Sequence, residues 1–139
     1  MRTSLISAVM AGVVGVEATA AQAYSPAVGR MLRNERIAVS VIESNSSCKG
    51  WDRGAEWRDL VKLWYRESSW NQWARNRSSG AIGIPQLLPS VHHVPQGYWD
   101  WRHPLRSARV QIRWGLNYIR KRYGNPARAW AHERAHGWY

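Results

Sequence analysis

The stretch Gly54 to Ser68, GAEWRDLVKLWYRES, decides the fold. Trp57, Leu60, Val61 and Trp64 recur at i, i+3, i+4 and i+7, which makes one apolar stripe of an amphipathic helix. Asp59 falls on the opposite, solvated face. Glu67 stands three residues past Trp64, so the spacing predicts a carboxyl in the last helical turn, on the buried side. Two local forces there favour its protonated form: burial penalises the anion, and so does the negative end of the helix dipole. A carboxyl tuned upward is a candidate general acid. The competing reading is an ordinary ion pair with Arg66 or Arg75.

Downstream, Ser78 to Pro89 carries Ser-Ser-Gly, a second glycine at 83 and prolines at 85 and 89, which predicts a small hairpin or irregular loop. Pro104 is placed to open a second helix, because its missing N–H costs nothing in the first turn. Leu105, Ala108, Ile112, Gly115, Leu116, Ile119 and Tyr123 then share one face until Gly124 and Pro126 stop it. A last helix spans about Pro126 to Ala135 and carries Ala127, Trp130 and Ala131. No segment shows sustained strand alternation, so the fold class is mainly α. Upstream, residues 24–50 read as an N-terminal extension or linker, because RIAVSVIESNSS could form a strand or a short helix and dissolves into Ser, Asn and Gly. The folded domain is expected over 51–139. Cys48 is the only cysteine, which excludes an intrachain disulfide and leaves it an ordinary linker residue.

Composition bounds the partners. At 139 residues the chain suits one compact domain. Twenty Lys and Arg against nine Asp and Glu give a net charge of +11, nearly all from arginine, which points to an anionic partner: nucleic acid, a membrane surface or an acidic cell-wall polymer. Ten Trp and six Tyr without Phe favour rings that combine an apolar face with a hydrogen-bonding edge, suited to sugars as well as to cores. Arg2, the apolar run from Leu5 to Val16 and Ala21-Gln22-Ala23 match a signal peptide over 1–23, cleaved after Ala23, and predict a secreted or wall-associated protein. The run is shorter than the roughly 20 residues of a bilayer span, so no stable membrane anchor is expected.

Glu67-Ser-Ser-Trp-Asn71, Ser78-Ser-Gly-Ala-Ile-Gly-Ile-Pro-Gln-Leu-Leu-Pro89 and the run Gly115 to His132, GLNYIRKRYGNPARAWAH, resemble in order the landmarks of the SLT-type lytic transglycosylase domain. The variant is the one found in secreted actinobacterial and phage tail proteins. The resemblance covers about Trp51 to Tyr139. It implies a goose-lysozyme-like fold acting on peptidoglycan glycan strands without a cofactor. The β-1,4 bond between N-acetylmuramic acid and N-acetylglucosamine is broken, and the sugar's own C6 hydroxyl closes a 1,6-anhydro ring in place of water. One carboxyl then suffices, and Glu67 matches it. Ser68 matches the following serine, Gln86 the glutamine of the cleft loop and Tyr118 the tyrosine of the core helix. Trp130 and His132 stand where many relatives have A-Y-N-A, a departure that leaves the role of His132 open. Trp70 and Trp73, just past Glu67, could stack on sugar faces.

Ordinary glycoside hydrolysis needs two carboxyl groups about 5 to 10 Å apart. Glu56 is eleven residues before Glu67, roughly 16 Å along a helix. Asp100 and Glu133 enter only if tertiary folding brings them in. A peptidoglycan muramidase and a non-catalytic wall-binding module therefore stay as alternatives. A third reading comes from His132-Glu133-Arg134-Ala135-His136, which satisfies the H-E-x-x-H pattern of zinc proteases, but only three residues follow it and the usual third ligand is missing. No metal is expected. Nucleic-acid binding would use the arginines but has no recognised motif here. The basic surface is better matched to anionic wall polymers.

Overall fold

The structure, a computed structural model, describes residues 24–139. The expected leader and cleavage site, residues 1–23, lie outside the described residues. Four helices, α1 (Pro26–Glu43), α2 (Gly54–Ser68), α3 (Pro104–Arg122) and α4 (Pro126–His136), enclose one hydrophobic core, with a short 3-10 turn at Ser46–Cys48. The chain is mainly α. Among the described residues the only β pairing is two isolated bridges, Arg75 with Ile82 and Ile82 with Leu87, which tie the Ser78–Pro89 segment into the expected irregular hairpin. No described helix is long and apolar enough to cross a membrane.

α1 corrects the reading of residues 24–50 as a linker. Ser25 caps it by accepting from the Val28 N–H, and Pro26 opens it. Its inner face, Asn34, Ala38, Val41 and Ile42, is fully buried and packs on α3. The stripe was hard to see because it starts with an asparagine. Asn34 is tolerated inside because its Nδ2 donates to the Trp70 carbonyl (2.9 Å) and to Gln72 Oε1 (3.1 Å), which bolts α1 to the turn after α2. Cys48 is likewise no linker residue but a buried member of the core.

α2 runs over the predicted Gly54 to Ser68, with Leu60, Leu63 and Trp64 fully buried and Trp57 and Val61 packed at the margin. It ends in a left-handed pair, Ser69 (φ 51°) and Trp70 (φ 58°), whose N–H groups reach back to Tyr65 and Trp64. A bulky residue in that region is strained. Burial holds it there: Trp70 lies edge-on to Trp64 at 5.0 Å, beside Trp57 at 6.2 Å, and its indole N–H donates to the Val61 carbonyl.

α3 buries Ser107, Ala108, Gln111, Ile112, Gly115, Leu116 and Ile119, whereas Leu105, expected inside, is exposed because it stands on the first turn beyond the core. Gln111, polar and so outside the apolar pattern, organises the interior. Its Nε2 donates to the carbonyls of Tyr98 (2.7 Å) and Gln72 (3.1 Å), and its Oε1 accepts from the Ile84 N–H (2.9 Å). Gly115 lets α3 approach α2: a Cβ there would lie 2.6 Å from the Trp64 ring and 2.8 Å from Pro85.

α4 packs mainly on α2, through Pro126, Ala129 and Glu133, and Ala131 faces solvent. Asn125 caps its N-terminus, and Glu56 Oε2 accepts from the Ala127 N–H at 3.0 Å, an anion at the positive end of a helix. The C-terminal Tyr139 closes the structure by accepting from Trp64 Nε1 (2.9 Å) and donating to the Pro85 carbonyl (3.0 Å).

Candidate active site

The site grows from the end of α2. Glu67 is half-buried on the last helical turn, and no described residue makes a hydrogen bond to its carboxyl. Its pKa is raised from the ordinary carboxyl range to about 7: burial is the largest cause, the negative charge of Glu133 adds to it and Arg66 opposes it. The alternative of an Arg66–Glu67 ion pair is not what forms. Arg66 Nε instead contacts Glu133 Oε1 at 2.8 Å, reaching across to α4.

Glu133 is thus the second carboxyl that Glu67 lacked in the sequence. Packing of α4 on α2 brings it in, although 66 positions separate the two residues along the chain. Glu133 is only 2 % exposed, and its Oε2 is buried without a partner. A carboxylate so enclosed acts on Glu67 through its field and is badly placed to activate bulk water. Asp100, the other candidate, is bound to His103 at 2.9 Å beside the N-terminus of α3. Its backbone N–H lies 3.5 Å from Ser107 Oγ, and the influences on the Glu67 carboxyl are burial, Glu133 and Arg66, with no contribution from Asp100.

Two tyrosines complete the acidic end. Tyr118 and Tyr139 lie edge to face with ring centroids 5.7 Å apart, and burial raises the pKa of both, with the Glu67 charge acting on each in the same direction. Tyr118 also stacks on Trp114 at 5.3 Å and, with His92, Asn117 and Lys121, lines a groove of about 420 Å³. An aromatic wall with a few polar groups is the usual make-up of a sugar site. Trp114 was missed, though its i,i+4 spacing to Tyr118 marks the pair. Tyr139 was missed too, and a terminal residue offers no periodic signal.

The remaining expected site residues separate. Ser68 turns inward: its Oγ donates to the Ile84 carbonyl at 2.8 Å and so fastens the loop to the end of α2. Gln86 sits at a left-handed position (φ 52°) with its Nε2 donating to the Gly83 carbonyl at 2.9 Å, which leaves its Oε1 as the end available to a ligand. Gly83 is needed beneath it, since a Cβ would come within 2.6 Å of Gln111 Oε1 and φ is +80°. Trp70 is fully buried and presents no face to a sugar, which corrects its expected binding role. Trp73 has one face covered by Trp101 at 4.1 Å. Trp130 packs against the core with Arg134 over its ring at 6.0 Å. His132 belongs to the C-terminal aromatic cluster: its Nδ1 lies 2.9 Å from the Trp138 carbonyl oxygen and its ring stacks on His136 at 4.2 Å.

That arrangement also bears on the H-E-x-x-H run. Glu133 points into the α2–α4 seam toward Arg66, away from the imidazoles, and His136 Nδ1 lies 3.0 Å from the His132 carbonyl oxygen. Among the described residues no group of three or more His, Cys, Asp and Glu side chains is placed to hold a metal ion. Comparison with family models, with curated proteins and with solved structures finds no match to this chain.

Proposed function

We propose that the protein is a secreted peptidoglycan lytic transglycosylase of the SLT type, with Glu67 as its single acid and base. The observation that carries this reading is the state of Glu67: a half-buried carboxyl, free of hydrogen-bond partners, holding its proton to about pH 7 within electrostatic reach of Tyr118, which lines an aromatic groove. In the reaction Glu67 donates that proton to the oxygen leaving as the N-acetylglucosamine hydroxyl while the muramic C1–O bond breaks. The C6 hydroxyl of the same muramic residue then bonds to C1, and its proton returns to Glu67. No water enters, and the carboxyl ends as it began. Tyr118 and Trp114 supply ring faces for the glycan, and Gln86 Oε1 offers an acceptor to its N-acetyl or hydroxyl donors.

The test is digestion of purified peptidoglycan followed by mass analysis of the released muropeptides, with Glu67→Gln as control. Anhydro ends, lost at least a thousandfold in the variant, are expected of a group that both protonates and deprotonates. Hydrated reducing ends would replace the proposal with a muramidase, the reading that the placement of Glu133 beside Glu67 favours. The enclosure of Glu133 by Arg66 weighs against it. Binding without release would point to a wall-binding module, and activity abolished by a chelator to the zinc reading.

A further inference from the structure

A second groove, of about 530 Å³, runs between α1 and the first turns of α3, lined by Arg33, Arg36, Arg106 and Arg109 around Ile37 and Leu105. Arg109 precedes Tyr118 by nine residues on α3, so the groove is about 14 Å or more along the helix from the Glu67 end. The four arginines form an i,i+3 pair on each of two facing helices. Like charges at that spacing repel. None of the four has an acidic partner among the described residues. Arg33 is anchored, with one terminal nitrogen donating to Gln72 Oε1 at 3.1 Å, while its Nε is buried without any partner. A concentration of unrelieved positive charge with an orphaned donor is complementary to an anion that the chain itself does not provide.

We propose that this groove binds the phosphates of a linear polyol-phosphate polymer, a phosphodiester chain of the kind carried by an extracellular envelope. A tetrahedral phosphodiester presents acceptor sites out of a single plane to guanidinium forks approaching from two sides, as those of α1 and α3 do, whereas the acceptor sites of a carboxylate lie in one plane. The apolar strip of Ile37 and Leu105, with the aliphatic arginine stems, suits a carbon backbone between phosphates. The groove contains no aromatic ring, so it lacks the stacking platforms with which single-stranded nucleic acid is gripped. The inference shares the extracellular setting of the proposed function but none of its chemistry.

The probe is a short fluorescent poly(glycerol phosphate) chain, titrated by anisotropy at several salt concentrations. Arg36 and Arg109 are exposed, so Arg36→Gln with Arg109→Gln leaves the core intact. This pair is expected to weaken binding about tenfold and to flatten the slope of log affinity against log salt by about 1.5. Arg58→Gln with Arg128→Gln, the same charge change at exposed positions on α2 and α4, is expected to alter affinity less than about twofold. Equal losses from both pairs would reduce the groove to diffuse attraction and overturn the proposal. So would equal affinity for polyglutamate or oligothymidylate of matched charge, or for inorganic phosphate. Glu67→Gln should bind the polymer as wild type does, so a failure of turnover and a failure of the groove are read separately.

Discussion

Glu67 owes its raised pKa first to burial and next to Glu133, far off along the chain. Burial and the negative charge of Glu133 both raise its pKa, and Arg66 is drawn off to Glu133 instead of neutralising Glu67. In the proposed reaction Glu67 gives up a proton, so muropeptide release should fall about tenfold per unit as pH rises above about 7. Glu133→Gln removes the neighbouring anion and frees Arg66, and both changes favour the Glu67 carboxylate. The alkaline limb should therefore move to lower pH. A pH profile of muropeptide release from the two proteins checks this, and an unmoved limb would show that Glu133 has no hold on Glu67. The elevated pKa was half legible: the stripe from Trp57 to Trp64 implied burial at the helix end, but the second charge lies on another helix.

At the scale of elements, the bounds of α2, α3 and α4 followed from local signals: apolar spacing, Pro104 and Pro126 at first turns, and Gly124 and Gly137 after the ends. The inward faces were less legible. Ser107, Gln111 and Glu133 are buried because each finds a partner, and a hydropathy pattern scores them as surface. The seam where α2, α3 and the Ile82–Leu87 loop meet depends on the absence of a side chain at 115. Gly115→Ala should lower stability by about 1–3 kcal/mol, since the new methyl would meet the Trp64 ring and Pro85. Gly29, inside α1 with nothing near it, is the control: Gly29→Ala should raise stability by about 0.5–1 kcal/mol. Thermal melts of both variants decide it.

Across the whole molecule, the packing of α1 on α3 and of α4 on α2 makes one core out of what the sequence divides at Trp51. Deleting residues 24–45 would strip Ala38, Val41 and Ile42 from that core and leave the Trp70 carbonyl and Gln72 without Asn34. The truncated chain should lose its cooperative thermal transition. A sharp melt near that of the longer chain would return the boundary to Trp51. The sequence by itself determined the helical class, the ends of α2, α3 and α4, the turn-rich loop and the place of Glu67 at the end of α2. All of these rest on interactions within about four residues, which periodicity and capping record. Only tertiary structure decided that Ser68 and Trp70 face inward, that residues 26–43 belong to the core, that Tyr139 seals the loop and that Glu133 stands beside Glu67. Burial and electrostatic coupling depend on which surfaces meet, and partners dozens of residues apart leave no mark on the local pattern of either.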